Sequence, residues 1–335
     1  MKSKRDFYII LLALVVLLIL VILNIFSVGV SIPSSNVWAI LFGDNSGSES
    51  TWPFIVESRL FRSIVGLIGG GSLAVAGLIL QVYFRNPLAG PGVLGISSGA
   101  SLGVAAVIMG GYSLGLESQH LSQLIAGVAG ATIVLTGILF ISKFIRNYIT
   151  LLVVGLMLGY FVSAIVNLLF LNADEIETRA YVVWGLGSFA GLTKSEFLWF
   201  VVVGMSTVLG SLFITKSLNA FVLGEDYAKS MGVNLKKVRL LVIAITSIQA
   251  AVVTVFCGPI SFIGVAVPQM VRQVFTSTNY RFLIPTCFLL GAILGVLSDV
   301  IMRLFDNTLP LNTITALIGA PIILYTIIKL NKRVA

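Results

Sequence analysis

Charge is the scarcest property of this chain, since only 10% of its 335 residues are Asp, Glu, Lys or Arg. Soluble domains carry about 25% charged residues, so a chain that is 58% hydrophobic with a mean hydropathy of +1.06 is predicted to be an integral membrane protein. There is one histidine, His120, and there are two cysteines, Cys257 and Cys287, in apolar surroundings. These numbers argue against a disulfide framework, a metal cluster, and a membrane enzyme that needs convergent histidine or metal ligands.

A phosphate-binding loop is also missing. No GxxxxGK followed by Ser or Thr occurs, and the glycines at 69–71 lie inside an apolar run with no lysine after them. If ATP drives this protein, ATP and magnesium must therefore bind to a partner chain. The net charge of +8 is better explained by membrane topology than by nucleic acid. We expect no nucleic-acid partner, and no catalytic residue, metal or cofactor on this chain.

Long apolar runs predict an all-α integral membrane protein with about ten transmembrane helices in one polytopic domain, residues 1–335. The first run follows Lys2, Lys4 and Arg5, and it is too long for a signal peptide and has no A-x-A site, so we expect it to be retained. The eighth run, bracketed by Pro259 and Pro268, is short and predicts a broken helix. The predicted spans cover roughly 7–26, 57–84, 93–109, 121–141, 149–171, 196–215, 240–257, 260–274, 282–302 and 311–330. A short surface helix is predicted at 177–190.

Basic residues set the orientation of this arrangement. With ten spans and both termini cytoplasmic, the inside segments hold 16 of the 21 Lys and Arg residues. Removing the short eighth helix would place Arg272, Arg281, Lys332 and Arg333 outside, so ten spans agree better with the charge distribution. The inside set comprises Lys2, Lys4, Arg5, Arg85, Lys143, Arg146, Lys216, Lys229, Lys236, Lys237, Arg239, Arg272, Arg281, Lys329, Lys332 and Arg333.

Residues 84–101, FRNPLAGPGVLGISSGAS, form the most distinctive stretch. Its prolines and glycines predict a tight loop between two membrane helices, and such a loop would by itself explain this composition. The pattern N-P-L-A-x-P-x-x-L-G-x-S-S-G-A from Asn86 to Ala100 also resembles the signature of the FecCD family, the permeases of ABC importers for iron-siderophores, haem and cobalamin. The resemblance implies the type II importer permease fold. It also implies a cytoplasmic gate built from a loop at 84–92 and the start of the fifth span, at Asn86, Pro87, Leu88, Tyr148, Ile149 and Thr150.

The inside loop at 216–239 carries a second motif. Its apolar positions and its acidic pair are consistent with an amphipathic helix lying on the headgroups. L-G-E-D-x-A-x-x-M-G-V, from Leu223 to Val233, also resembles the family's coupling region, which docks into a groove on the ATPase subunit. The resemblance assigns ATPase coupling to Leu223, Gly224, Glu225, Asp226, Ala228, Met231 and Gly232.

Three arginines lie at the outer ends of spans, against the topological rule. Interfacial snorkelling is one explanation of Arg59, Arg62 and Arg303. R-L-x-R and S-D-x-x-x-R also resemble family positions that dock the substrate-binding protein, although Phe61 stands where the family usually has proline. Asp299 is spaced to pair with Arg303 at i,i+4.

Polar side chains inside the spans are few. Those most suited to line a pore are Gln81, Asn167, Gln249 and Gln269, and hydrogen bonding between helices is the alternative for each. F-I-G-V-A-V-P-Q, ending at Gln269, resembles a family motif that usually ends in histidine.

The resemblance covers nearly the whole chain, through L-P-L-N-T-I-T-A-L-I-G-A-P at 309–321. It implies a permease of the cytoplasmic membrane that forms a homodimer, or a heterodimer with a paralogue, with two ATPase subunits inside and an extracytoplasmic binding protein outside. Its transport would be by alternating access, with no covalent chemistry on this chain. We expect a ferric siderophore as substrate because that is the broadest branch of the family; cobalamin and haem are alternatives. An ion-coupled secondary transporter is less favoured, since few ionisable groups lie at mid-span.

Overall fold

The computed structural model describes residues 2–26, 30–44, 51–110, 119–145, 147–305 and 309–334. The regular secondary structure in these ranges is helical, with no β-strand among them, as the all-α prediction requires. A 3-10 turn, Pro91–Leu94, precedes the fourth helix. In order, the α-helices are α1 (Lys2–Phe26), α2 (Ser34–Leu41), α3 (Trp52–Tyr83), α4 (Ile96–Ile108), α5 (Gln119–Ile141), α6 (Tyr148–Phe170), α7 (Glu175–Gly185), α8 (Lys194–Phe213), α9 (Thr215–Val222), α10 (Glu225–Ser230), α11 (Leu235–Cys257), α12 (Ile263–Val274), α13 (Tyr280–Leu304) and α14 (Leu311–Val334).

Ten of these helices match the predicted spans. Seven (α1, α3, α5, α6, α8, α11 and α13) are long and apolar enough to cross a membrane. Helix α4 and the 311–326 part of α14 are shorter apolar helices. Helix α12 has 12 residues with Pro268 inside it, which agrees with the short eighth helix expected from the sequence.

Helix α3 is the centre of the bundle, and 89% of its apolar window is buried. Helices α8, α11, α12 and α13 pack around it. Glycines allow the closest approaches: a Cβ on Gly70 would lie 2.3 Å from the Gly291 carbonyl oxygen, and one on Gly77 would lie 1.6 Å from that of Gly264. Without a hydrophobic drive between helices in lipid, such small residues provide the tight packing that holds spans together.

The peripheral helices have the opposite character. Only 22% of the apolar window is buried in each of α1, α5 and α6, and their large apolar side chains point outward. Exposed side chains such as Leu12, Ile133 and Phe161 suit contact with lipid or with another transmembrane subunit.

Several boundaries differ from the sequence expectation. Helix α3 begins at Trp52 rather than near Glu57, because Pro53 is tolerated in a first helical turn. Helix α2 lies where a loop was expected. Helix α7 covers 175–185 and starts with a capping box between Asp174 and Glu177. The amphipathic inside stretch forms two helices, α9 and α10, because Gly224 at φ +118° interrupts them.

Candidate functional site

The three outer arginines lie together where α1, α3 and α13 meet. Arg59 is 3% exposed and Arg303 is 8% exposed. Arg59 donates to the carbonyl oxygens of Ile25 (2.9 Å) and Val30 (2.5 Å). Arg303 donates to the backbone oxygen of Asn24 (2.7 Å) and to its side-chain oxygen. These bonds satisfy carbonyl groups near the end of α1, which would otherwise be unpaired.

Asp299 is the buried anion of this cluster. Its Oδ1 accepts from Nη2 of Arg62 at 2.7 Å and from Nε at 3.2 Å, and its Oδ2 accepts from Asn24 at 2.9 Å. The Asp299 side chain is 0% exposed and that of Arg62 is 13% exposed. The sequence spacing suggested Arg303 as a partner of Asp299, and the two groups do interact electrostatically. The contacts above also join Asp299 to helices α1 and α3.

This burial bears on the docking prediction for the three arginines. Arg59 and Arg303 are internal in this structure, so snorkelling does not describe them. Arg62 lines an outer cavity of about 340 Å³ together with Glu57 and Lys194, whose side chains form an ion pair at 3.6 Å. Of the three, Arg62 is the one that lines this cavity. Docking itself remains a prediction.

The loop at 84–92 is held by two glutamines. Gln269 donates to the Pro87 carbonyl oxygen at 2.9 Å and to the Gln81 side-chain oxygen at 2.7 Å. Gln81 in turn donates to the Val265 carbonyl oxygen at 3.1 Å. Asn86 closes a local turn by accepting from the amide of Leu88 at 2.9 Å. Two residues predicted as pore-lining therefore attach the predicted gate loop to α12.

The second half of the predicted gate is the start of α6. Asn147 caps this helix by accepting from the amides of Ile149 (2.8 Å) and Thr150 (3.3 Å). Ile149 is 70% exposed and Thr150 is exposed, so both are accessible at this end of the bundle. Tyr148 begins the helix, but its side chain lies outside the described residues. An asparagine directly before an apolar run is a detectable N-cap signal, and the sequence analysis did not use it.

The other two residues predicted to line a pore, Gln249 and Asn167, differ in burial. Gln249 is 0% exposed, and its amide has no hydrogen-bond partner among the residues that the structure describes. Asn167 is exposed and borders a cavity between α4, α6 and α7.

The predicted coupling segment forms two short helices, α9 packed on α3 and α13 and α10 protruding beyond it. Leu223 is 64% exposed and Met231 is 61% exposed, whereas Ala228 is fully buried beneath them. Asp226 pairs with Lys229 at 3.3 Å, within α10. Gly232 adopts φ +80° where α10 ends. An apolar protrusion with a buried base can insert into a groove of a partner protein.

Two polar contacts connect this segment to the bundle. Asn219 of α9 donates to the side chain of Asn279 (3.1 Å) and accepts from the amide of Tyr280 (2.9 Å), at the start of α13. The second contact is made by Arg239, which the sequence analysis counted only as one of the inside basic residues. Arg239, near the start of α11, donates to the Tyr83 hydroxyl at 2.8 Å.

Arg239 also donates to the carbonyl oxygens of Ser142 (2.7 Å) and Ile145, at the end of α5. Cationic side chains are favourable at a helix C-terminus, where carbonyl groups are left unpaired. Arg239 thus joins α11 to the end of α3, just before the 84–92 loop, and to the connection between α5 and α6. We name the contacts of Arg239 with Tyr83, Ser142 and Ile145 the Arg239 clasp.

The cysteines are separate and buried: Cys257 ends α11, and Cys287 donates to the Ala74 carbonyl oxygen at 3.3 Å. Among the described residues, no group of three or more His, Cys, Asp or Glu side chains could hold a metal ion.

A bundle of membrane-crossing helices, a non-helical loop held within it and an apolar protrusion on one side define the class: a multi-pass membrane permease. More specifically, the chain belongs to the FecCD transport family, whose model matches residues 16–329. The family resemblance inferred from the sequence motifs is confirmed.

Curated relatives agree with this membership. The chain is 30% identical over 315 residues to a protein of Methanocaldococcus jannaschii named as an ABC transporter permease, with 88% of each chain covered. It is 33% identical over 287 residues to the vitamin B12 import system permease BtuC of Salmonella arizonae, covering 82% of this chain and 83% of that one.

The fold has a solved counterpart in a metal-chelate type ABC transporter determined in an inward-facing conformation. The TM-score is 0.83 at 26% identity, with 96% of this chain and 99% of that chain covered. The prediction of an importer permease fold is confirmed, and the chain is an ABC importer permease of the FecCD and BtuC type.

Proposed function

We propose that this chain forms the transmembrane path of an importer that carries an iron(III)-siderophore complex across the cytoplasmic membrane. Two permease chains would enclose the path, two ATPase subunits would bind inside, and a binding protein would deliver the chelate outside. Both termini would be cytoplasmic. The proposal rests on family membership together with one structural observation, the protruding α9–α10 segment joined to the predicted gate by the Arg239 clasp.

The mechanism follows from these contacts. Exposed Leu223 and Met231 would occupy a groove on the ATPase, and buried Ala228 would keep α10 seated on the permease. Closure of the ATPase subunits on ATP would displace α10 and the start of α11. Because Arg239 bonds to Tyr83 and to the end of α5, that displacement would pull on both sides of the predicted gate. The energy would come from the ATPase, so this chain would carry no catalytic residue and no cofactor.

Cobalamin is the second candidate substrate, and it is favoured by one specific observation: relatives at 33% and 32% identity are named as vitamin B12 import permeases. Haem is the third substrate class that the family resemblance implies. All three substrates are bulky chelates that bind to the same kind of machine.

The test is uptake into proteoliposomes that contain this chain, its ATPase and its binding protein. Radiolabelled ferric siderophore, cyanocobalamin and haem are offered in parallel, with ATP or with a non-hydrolysable analogue. ATP-dependent accumulation of the siderophore supports the proposal, and accumulation of cyanocobalamin alone moves the assignment to the second candidate. Uptake that follows a proton or sodium gradient and ignores ATP would overturn the importer mechanism.

A further inference from the structure

A cavity of about 270 Å³ lies between α4, α6 and α7. Its lining is rich in hydroxyl and amide groups, which is unusual in a chain with so few polar side chains inside its spans. The lining residues are Ser97, Ser98, Ser101, Ser163, Val166, Asn167, Phe170, Tyr181 and Pro259. We name this space the hydroxyl cavity.

The hydroxyl cavity lies beside the second half of α6, from Ser163 to Phe170, where the first two turns of α4 and helix α7 meet it. Gly95, which precedes α4, packs against the backbone of Gly155 and Gly159, in the middle of α6. The first turn of α4 therefore begins halfway along a spanning helix. Polar groups on a spanning helix are costly when they face lipid, so the serines of α4 and α6 are expected to face protein or a water-filled path.

Some of these groups are already paired. Thr254 donates to the Ser97 hydroxyl at 3.0 Å, and Ser163 donates to the Gly159 carbonyl oxygen at 2.9 Å. The Tyr181 hydroxyl is hydrogen-bonded to Ser101, and burial raises the pKa of Tyr181, so this group remains neutral at physiological pH.

Other groups remain available. Within the described ranges, neither the Ser98 hydroxyl nor the Asn167 amide has a hydrogen-bond partner. Asn167 lies on the exposed side of α6, next to Leu168 at 61% exposure. Because α6 packs mainly on α4 and the 3-10 turn, this side of the helix is open to whatever occupies the space beyond the protomer.

The lining contains no Asp, Glu, Lys or Arg. An anion brought into this cavity would find no cation in its lining to pair with, and desolvating an unpaired charge is strongly unfavourable. Uncharged amide, hydroxamate or hydroxyl groups can exchange their water for the serine, tyrosine and asparagine side chains instead. The cavity chemistry therefore selects neutral groups rich in oxygen and nitrogen.

We propose that the hydroxyl cavity is a substrate subsite that binds the uncharged amide or hydroxamate periphery of the transported chelate. This inference rests on the proposed import function and narrows its substrate class to chelates with a neutral surface. Ligand pockets usually measure about 300–1,000 Å³, so a space of about 270 Å³ holds an edge of a bulky chelate while the remainder occupies the open path beside α6.

The experiment measures uptake kinetics in proteoliposomes holding the full importer. The probes are a neutral ferric tris-hydroxamate, cyanocobalamin and a trianionic ferric tris-catecholate. The variants are Asn167→Leu, which keeps the branched shape of the side chain but removes the amide, and Tyr181→Phe, which removes one hydroxyl. The matched control is Ser206→Ala on exposed α8, whose hydroxyl bonds only to the Val203 carbonyl oxygen of its own helix.

We expect a neutral probe to be transported in preference to the catecholate. A hydrogen bond of about 0.5–1.5 kcal/mol corresponds to an increase of roughly two- to tenfold in the KM of each cavity variant, with little change for the control. ATPase activity without substrate should be unchanged in all variants, which reports correct assembly. Tyr181→Phe serves as the conservative variant if Asn167→Leu assembles poorly.

Two failures can be told apart. If the wild-type importer accumulates none of the probes with ATP, the proposed function is at fault. If it accumulates the catecholate preferentially, or if both variants retain the KM of Ser206→Ala, then transport stands and the subsite is refuted.

Discussion

The Asp299–Arg62 pair gives the sharpest quantitative prediction. Replacing Asp299 by Asn keeps the shape of the side chain but removes the charge that Arg62 contacts at 2.7 Å. Arg59 and Arg303 belong to the same cluster and are buried, so the loss leaves positive charges facing one another with little solvent to screen them. Breaking a buried pair by removing one partner costs about 3–5 kcal/mol, and 3 kcal/mol already shifts the folding equilibrium by more than about a hundredfold.

The assay is reversible unfolding of the purified permease in mixed micelles, followed by tryptophan fluorescence or circular dichroism. The control is Glu57→Gln, which breaks the exposed Lys194–Glu57 pair at 3.6 Å and should cost no more than about 1 kcal/mol. The double variant Asp299→Leu, Arg62→Met replaces the pair with apolar side chains and should recover part of the lost stability. If Asp299→Asn costs as little as Glu57→Gln, the cluster is not the buried ionic joint inferred from these contacts.

Three further predictions concern coupling, the gate loop and helix packing. Arg239→Ala removes three charge-assisted hydrogen bonds, so it should leave ATP hydrolysis largely intact but lower transport per ATP at least severalfold. The control is Lys236→Ala, an exposed change in the same helix, which should not lower transport per ATP. Equal transport per ATP in the two variants would refute the role of the Arg239 clasp. Gln269→Leu removes the amide group that donates to the Pro87 carbonyl oxygen and to the Gln81 side-chain oxygen. The 84–92 loop should then be more open, which cysteine crosslinking across the predicted gate would report. An unchanged crosslinking rate would contradict this prediction. Gly77→Ala should destabilise the bundle by about 1–3 kcal/mol or more in the same unfolding assay, because its Cβ would lie 1.6 Å from a carbonyl oxygen of α12; Gly137→Ala, with no atom within 4 Å, is the tolerated comparison.

Much of the fold could be read from the sequence because its signals are local. The length of an apolar run decides whether a helix can span a bilayer, and prolines mark where helices break. These properties predicted ten spans, including the short α12, and the linear motifs placed the chain in its family. The capping boxes that start α7 and α8 are equally local, so both helix starts could have been predicted from the sequence.

The sites depended on contacts between distant residues. Gln81 and Gln269 are 188 positions apart, and Arg62 and Asp299 are 237 apart, so no sequence period relates them. The outer arginines were expected at the surface, because long charged side chains at the end of a span usually extend to the membrane interface. Helix α1 instead packs beside α3 and α13 and buries Arg59 and Arg303. Only the packing of whole helices fixes which polar atoms meet.

What the sequence determined by itself is therefore the class of molecule: its membrane setting, its helices, and its family with the segments that family uses. The tertiary structure decided that the outer arginines form an internal joint, that a pair of glutamines holds the 84–92 loop, that Arg239 joins α11 to α3 and α5, and that serines of α4 share a cavity with α6 and α7. The physical reason is range. Hydrophobic transfer and backbone propensity act within one segment, whereas hydrogen bonds and ion pairs require two segments to be brought within about 3 Å.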